Sequence, residues 1–381
     1  MIKILLLIDY SSEFDRKLLR GLVQYSKENG PWLFYRLPSY YSAMHGEQGI
    51  LKWAKEWKAD AIIGQWNNDT IDLQKELNIP VVLQNYHHRS VTYSHLTGDY
   101  KGTGRMAAQF FAKRMFRNFA YFGVKGVVWS DERCEGYRQE VKRIGGEFFS
   151  FESDKQEDEI RMEVSQWLQQ LPKPVALFCC DDAHALFISE TCKMTNIPIP
   201  EEIALLGVDN DELMCNISDP PISSIELEVE RGGYSIGRLI HQQIKKEHEG
   251  TFNIVINPIR IELRQSTEKH NIKDPYILEV VKYIESHYGS DLTIESLLAN
   301  IPLSRRNFEV KFKNALNTSI YQYILNCRCN HLADLLLTTD RPLADLAMEV
   351  GFTDYNNIAR IFKKFKGCSP IEYRQKKTRQ R

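Results

Sequence analysis

The 381-residue chain has no apolar run near the roughly 18 to 20 residues that a membrane-crossing helix needs. Its opening Ile2-Lys3-Ile4-Leu5-Leu6-Leu7-Ile8 is short, ends at Asp9 and lacks a small-residue cleavage site, so it reads as a buried strand and not as a secretion signal. A cytoplasmic protein with no membrane contact is expected. The eight cysteines form no Cys-x-x-Cys pair and no zinc-type spacing with histidine, and the vicinal Cys179-Cys180 lies in an apolar strand. Reduced core thiols without a metal follow. There is no Walker loop, no Gly-x-Ser-x-Gly elbow and no His-Glu-x-x-His. Catalysis thus lacks a constellation, and neither an enzyme nor a cofactor is expected. His87-His88 point opposite ways on an extended segment and read as a solvated loop. Gly102-Thr103-Gly104-Arg105-Met106-Ala107 matches a dinucleotide fingerprint, but the preceding Ser94 to Lys101 is polar, so a small-residue helix start packed on a sheet is expected there.

What is present is an ordinary soluble composition, long enough for two or three cores. The formal net charge is −1, but residues 274–381 carry 16 Lys+Arg against 12 Asp+Glu, net +4, which leaves −5 for residues 1–273. A basic surplus at one end suits nucleic acid. Up to about residue 265, short apolar runs (Ile4 to Ile8, Ala61 to Gly64, Val81 to Leu83, Phe119 to Phe122, Val175 to Cys179, Ile203 to Val208) alternate with amphipathic helical stretches. That alternation indicates parallel sheets with crossover helices. The repeated endings Leu77-Asn78-Ile79-Pro80 and Thr195-Asn196-Ile197-Pro198 suggest two similar α/β lobes. A polar stretch then separates residues 1–265 from 275–381, with 266–274 as the expected linker and Pro275 as a helix start.

The last hundred residues hold two helix-turn-helix patterns about fifty residues apart. In the second, Ala347 and Gly351 stand four apart, and a helix opening at Thr353-Asp354 turns Ile358, Ile361, Phe362 and Phe365 to one face. The first reads Leu292 to Ala299, a turn through Ile301-Pro302-Leu303, and a helix from Ser304 with Phe308, Phe312 and Leu316 inward. Leu298 takes the place of Ala347, and Phe312 that of Phe362. A helix from Ile320 to Thr338, with Ile324, Leu332, Leu335 and Leu336 inward, would join them and set their second helices roughly 34 Å apart, one DNA turn.

Gly351-Phe352-Thr353-Asp354 through Arg360-Ile361-Phe362-Lys363-Lys364-Phe365-Lys366-Gly367, with Ser369-Pro370-Ile371-Glu372-Tyr373-Arg374, resembles the AraC-type regulator signature; Pro302 stands where the first copy usually has Gly. Trp129 to Tyr137, Cys180 to Leu186 and Ile197 to Asn210 resemble the sugar-sensing domain of LacI-type repressors and periplasmic sugar-binding proteins. The whole chain resembles the xylose operon regulators, which place such a sensor ahead of such a DNA reader. The resemblance implies a two-lobed, type I periplasmic-binding-protein-like α/β domain followed by an all-α domain with two helix-turn-helix motifs. It implies a sugar-responsive activator of pentose catabolic genes, probing double-stranded DNA, answering to D-xylose, contacting RNA polymerase and acting as a homodimer. The alternatives are a sugar-processing enzyme with a DNA-binding tail and a regulator of another small molecule.

Open α/β sheets bind ligands at the carboxyl ends of their strands, here the loops at Asp9-Tyr10, Gln65-Trp66-Asn67, Ser130 to Arg133, Asp181-Asp182 and Asp209-Asn210. A sugar calls for carboxylates and Arg to pair with hydroxyls and an aromatic face to cover its C–H side. By resemblance Arg133, Asp181 and Asp209 hold sugar-contacting positions, and Phe14 with Asp15 falls where relatives place a stacking aromatic. Asp9 and Asn210 join the candidates, as does Trp66 by location alone. Structural roles remain open: Asp182 as a helix cap at Ala183, Arg133 as a bridge between surface carboxylates, Trp66 as core. The loop Ser224-Ile225-Glu226-Leu227 departs from relatives with Gln at position 227. In the DNA half the resemblance assigns base reading to Arg306, Glu309, Val310, Tyr355, Asn356 and Arg360. Arg305, Lys313, Lys363 and Lys364 suit phosphates.

Overall fold

The computed structural model describes the chain apart from residues 9, 38, 67–71, 85–92, 249, 269–271, 273, 300, 317, 340, 353–354 and 380–381. The chain forms two units, Met1–Lys269 and His270–Arg381. The first runs β1 (Ile2–Leu7), α1 (Glu13–Asn29), β2 (Trp32–Arg36), α2 (Ser39–Trp57), β3 (Ala61–Gly64), α3 (Leu73–Leu77), β4 (Val81–Gln84), β5 (Ser94–Gly98) and α4 (Tyr100–Lys113). It continues β6 (Asn118–Val124), α5 (Val128–Arg143), β7 (Glu147–Ser153), α6 (Glu157–Gln170), β8 (Val175–Cys179), α7 (Asp182–Met194), β9 (Ile203–Val208), α8 (Glu212–Ile217) and β10 (Ser223–Leu227). It closes with α9 (Val229–Ile244), β11 (Asn253–Ile256) and β12 (Pro258–Glu262).

Two six-stranded sheets result, ordered β11-β5-β4-β3-β1-β2 and β12-β10-β9-β8-β6-β7. The first is parallel throughout, and in the second only β12 runs antiparallel. Each sheet is one lobe, and the chain crosses between lobes after β5, after β10 and after β11. Central strands such as β8 and β9 are buried at every residue because helices cover both faces. The repeated Asn-Ile-Pro endings have a shared cause: Asn78 and Asn196 both take left-handed backbone, φ 51° and 56°, to turn the chain out of a helix.

Three expectations are corrected. Ser94–Gly98 is strand β5 despite its polar letters, with Ser94 and Thr97 buried in the sheet. Gly102 and Gly104 therefore do follow a strand and open a helix, but packing accounts for both. A Cβ on Gly102 would lie 1.9 Å from the carboxylate of the cap Asp99, and one on Gly104 would lie 2.1 Å from the Arg133 carbonyl of α5. The segment expected as a loop at Ser224 to Leu227 is strand β10. The polar run expected as linker from 266 begins inside the first unit. There Ser266 and Thr267 are buried in a 3-10 turn, Ser266 Oγ donating to the Leu205 carbonyl at 2.7 Å.

The second unit runs α10 (Pro275–His287), α11 (Ile294–Leu298), α12 (Arg305–Leu316), α13 (Ile320–Thr338), α14 (Leu343–Glu349), α15 (Tyr355–Lys366) and α16 (Pro370–Arg379). Asp274 caps α10, accepting from the Tyr276 and Ile277 amides, with Pro275 in the first turn. Phe308, Phe312 and Leu316 bury one face of α12, and Ile358 and Phe362 one face of α15. Ile361, Leu335 and Phe365 are half-buried against the same core. Leu346 and Ala347 are both buried in the second copy, whereas in the first Leu297 is buried and Leu298 half-buried. Gly351 has φ +91°, and a Cβ there would also sit 2.8 Å from the Tyr288 carbonyl, so this turn requires glycine twice over.

Candidate functional site

The carboxyl ends of the strands in the two lobes face one cleft of about 390 Å³, within the range of small-molecule sites. The first lobe lines it with Ser12, Phe14 and Asp15 after β1, Gln65 after β3, Gln84 closing β4, and Leu96 of β5; Tyr100 opens α4 beside them. The second lobe supplies Val124, Trp129, Arg133, Asp181, His184 and Asp209. Of the sequence candidates, Phe14, Asp15, Arg133, Asp181 and Asp209 meet here. Trp66 does not line it and packs with the apolar cluster that includes Ile62 and Leu83. Asn210 lies behind the cleft wall: its Nδ2 donates to Glu226 Oε2, and its Oδ1 accepts from Arg264 Nη2 at 2.7 Å. Asp9, Asn67 and His87-His88 lie outside the described residues.

Arg133 is 3% exposed and therefore spans no surface carboxylates. It projects from α5 into the cleft floor, where Nη1 donates to the Cys180 carbonyl and Nη2 stands 3.8 Å from Asp209 Oδ1. The rings of Tyr100 and Trp129 lie 5.5 and 5.4 Å from its guanidinium carbon. Arg133 Nε and Asp209 Oδ1 are buried without a hydrogen-bond partner among the described residues. Such orphans cost about 1–3 kcal/mol each, and more when charged. Burial pushes the Asp209 carboxyl from 3.8 up to about 6, Arg133 pulls it part of the way back, and Asp181 adds to the rise.

Asp181, not Asp182, caps α7: its Oδ1 accepts from the His184 amide at 2.8 Å and from His184 Nδ1 at 2.7 Å. Burial alone would raise the Asp181 carboxyl, but the charged His184 ring holds it below its ordinary value. Burial would likewise lower His184, and Asp181 keeps it well above the usual range. Asp182 turns away to accept from the Asp211 amide at 2.7 Å and from Ser224 Oγ at 2.6 Å. Burial, with Asp209 nearby, raises it well above an ordinary carboxyl. The first lobe answers with amides: Gln84 Nε2 donates to Asp15 Oδ1 at 2.7 Å and Gln65 Nε2 to Gln84 Oε1 at 3.3 Å. The loop expected at Gln65 does line the cleft, through Gln65, whereas sequence reasoning missed His184, Gln84, Tyr100 and Trp129. His184 could have been found from its place one helical turn after Asp181.

Cys180, Asp181 and His184 offer ligand atoms within 4.8 Å of one another. They have the chemistry of a metal set, although the sequence spacing pointed to none. In this structure the imidazole Nδ1 is occupied by the Asp181 carboxylate.

In the second unit, α12 exposes Arg305, Arg306, Glu309, Val310 and Lys313, and α15 exposes Arg360, Lys363 and Lys364. Tyr355 and Asn356 begin α15, their side chains lying outside the described ones. Arg305 is held at 2.8 Å by Glu295 and 3.1 Å by Glu309, Arg360 donates to Asn357 Oδ1 at 3.0 Å, and Lys364 to Gln322 Oε1 at 3.0 Å. These exposed contacts are weak and can be exchanged for phosphate oxygens or base edges.

Residues 108–267 match the family described as a periplasmic binding protein-like domain, and residues 297–376 match a helix-turn-helix domain. The chain is 24% identical to the xylose operon regulatory protein of Escherichia coli K12, covering 98% of this chain and 96% of that one. Identity to the Haemophilus influenzae protein of the same name is also 24%, covering 98% of each. Among solved structures, the xylose-binding transcription activator xylR shares the fold with a TM-score of 0.60 at 22% identity, over 98% of this chain and 97% of that one. A LacI-type regulator from Alkaliphilus metalliredigens complexed with D-xylulofuranose matches 70% of this chain and 98% of its own, with a TM-score of 0.58 at 17% identity. No described helix is long and apolar enough to cross a membrane.

Proposed function

Because the chain is a sugar-responsive transcription regulator and not an enzyme, homologous over 98% of its length to the xylose operon regulatory proteins, we propose that its effector is an aldopentose, D-xylose first, bound between the lobes. The observation that carries this reading is the pair of buried orphans, Arg133 Nε and Asp209 Oδ1, in the floor of the cleft. Adjacent sugar hydroxyls can pair with both side chains, one accepting from the guanidinium and one donating to the carboxylate. Asp181 and Asp15 offer further acceptors, and Phe14 and Trp129 offer faces to the C–H side of the ring.

In this reading Arg306, Glu309 and Val310 of α12 and Tyr355, Asn356 and Arg360 of α15 read bases in the major groove of operator DNA. Arg305, Lys313, Lys363 and Lys364 hold phosphates and set register. The protein works in the cytoplasm as a homodimer, recruits RNA polymerase and activates pentose-catabolic genes when its sugar is present. The residues joining the two units are the coupling element. A thermal-shift panel of pentoses and hexoses tests the effector, since a ligand of the folded state raises the melting point by mass action. D-Xylose should stabilise the parent and leave Asp209→Ala unmoved. Stabilisation by a hexose alone, or by no sugar, would overturn the assignment.

A further inference from the structure

We infer that Lys17, on the opposite lobe from the residues it binds, is a positioning residue that aims the Asp209 carboxylate into the effector cleft. The side chain leaves the second turn of α1 in the first lobe and is 8% exposed. Its ammonium donates to the Asp209 carbonyl at 2.6 Å and to Glu226 Oε1 of β10 at 2.8 Å, both in the second lobe. The other Glu226 oxygen takes the amide of Asn210. A buried ammonium is retained only where it is paired and hydrogen-bonded, and this one is.

What it holds is unusual backbone. Asp209 and Asn210 are consecutive non-glycine residues at φ +97° and +49°; Asn210 is in the left-handed region that Asn adopts readily, whereas Asp209 lies beyond it and is held there by its surroundings. On the other side of the peptide, the Asp209 amide donates to the Ile225 carbonyl at 3.0 Å. With amide and carbonyl both fixed, the Asp209 side chain is directed at Arg133 and the cleft instead of along the strand. One of those two anchors comes from the other lobe, so the acceptor is correctly aimed only while the lobes are together. Lobe closure and effector capture then become one event. This assignment rests on the cleft being the effector site, but the clamp itself can be tested without any sugar.

The experiment uses full-length parent, Lys17→Met, Lys17→Gln and Glu226→Gln. Hydrogen exchange of the peptide spanning Val208 to Met214, measured without sugar, should accelerate about tenfold or more in both Lys17 variants, and less in Glu226→Gln, which keeps the carbonyl clamp. Unchanged exchange in both Lys17 variants, while the fold is intact by tryptophan fluorescence, overturns the proposal. Calorimetry with D-xylose then separates aiming from bulk structure. Lys17→Met should weaken binding about tenfold or more in the parent and less than threefold in an Asp209→Asn background, because residues acting through one another are not additive. Equal fold losses in both backgrounds would also overturn it. If the parent binds no sugar at all, the effector reading fails, and the exchange result alone decides on Lys17.

Discussion

Asp209→Asn should make the ligand-free protein more stable at neutral pH while weakening its binding of sugar. Carrying a carboxyl that ordinarily titrates at 3.8 up to about 6 costs the ionised form about 3 kcal/mol at neutral pH, from 1.36 kcal/mol per unit. The sign follows from proton binding. Between pH 3.8 and 6 the folded protein holds a proton that the unfolded chain has released, so the penalty is absent below 3.8, grows through this window and is complete above 6. Asparagine keeps the shape, tolerates left-handed backbone and carries no charge, so it removes the penalty. The shift already includes the pull of Arg133 at 3.8 Å, and solvent reaching the carboxylate from the cleft makes about 3 kcal/mol a ceiling and about 1–2 kcal/mol the expected gain. Denaturant unfolding of the full chain at pH 7.5 and pH 4 measures it. All six tryptophans fall between residues 32 and 167, so their fluorescence reports the first unit alone. A stability difference that is the same at both pH values, or a variant less stable than the parent at pH 7.5, would refute the reasoning.

Sugar affinity itself should fall with acid: with an acceptor titrating at about 6, binding at pH 5 should be about tenfold weaker than at pH 7.5, and a flat calorimetric profile would place the acceptor elsewhere. Gly21→Ala should destabilise the first unit by about 1–3 kcal/mol, even though helix propensity favours Ala by about 1 kcal/mol. The new Cβ would lie 1.8 Å from the Glu230 carbonyl of α9, and thermal unfolding decides the sign. Phe362→Ala removes a fully buried ring and should cost about 3–5 kcal/mol, read as lost helical signal and lost DNA binding. Arg360→Ala should cost roughly 1–3 kcal/mol on cognate DNA and relax sequence preference, whereas Lys364→Ala should weaken all sequences alike and lower the salt slope by about one; equal losses for Arg360→Ala on cognate and random DNA would count against base reading there.

The parts of the fold legible in the sequence were those where burial is two-sided. Strands β3, β8 and β9 sit inside sheets with helices on both faces, so their letters are continuously apolar. The strands that escaped are largely at the margins: β2 and β11 edge one sheet, and β7 and β12 the other. There one side faces solvent and the pattern dissolves into Trp32-Leu33-Phe34-Tyr35-Arg36 or Pro258-Ile259-Arg260-Ile261-Glu262. β5 and β10 were hidden for another reason, because their buried serines are satisfied by hydrogen bonds that letters do not reveal. The cleft followed the same logic. Arg133, Asp181 and Asp209 stand beside recognisable strand ends, but Gln84 reaches the cleft through Asp15, 69 residues away. Trp66 had the right address and the wrong face, and Asp182, one residue from a true cap, points into the core instead.

The central claim is that a pentose in the cleft changes how the helix-turn-helix unit engages DNA. The most direct measurement selects a binding sequence from random DNA with the full-length protein, then determines its affinity with and without D-xylose for the parent and for Asp209→Ala. The account predicts that sugar shifts DNA affinity in the parent by about 5- to 150-fold, as a coupling of 1–3 kcal/mol would. DNA should shift sugar affinity by the same factor, and Asp209→Ala should bind DNA with no response to sugar. DNA affinity that D-xylose leaves unchanged in a parent shown by calorimetry to bind it, or an Asp209→Ala variant that still responds, would contradict it.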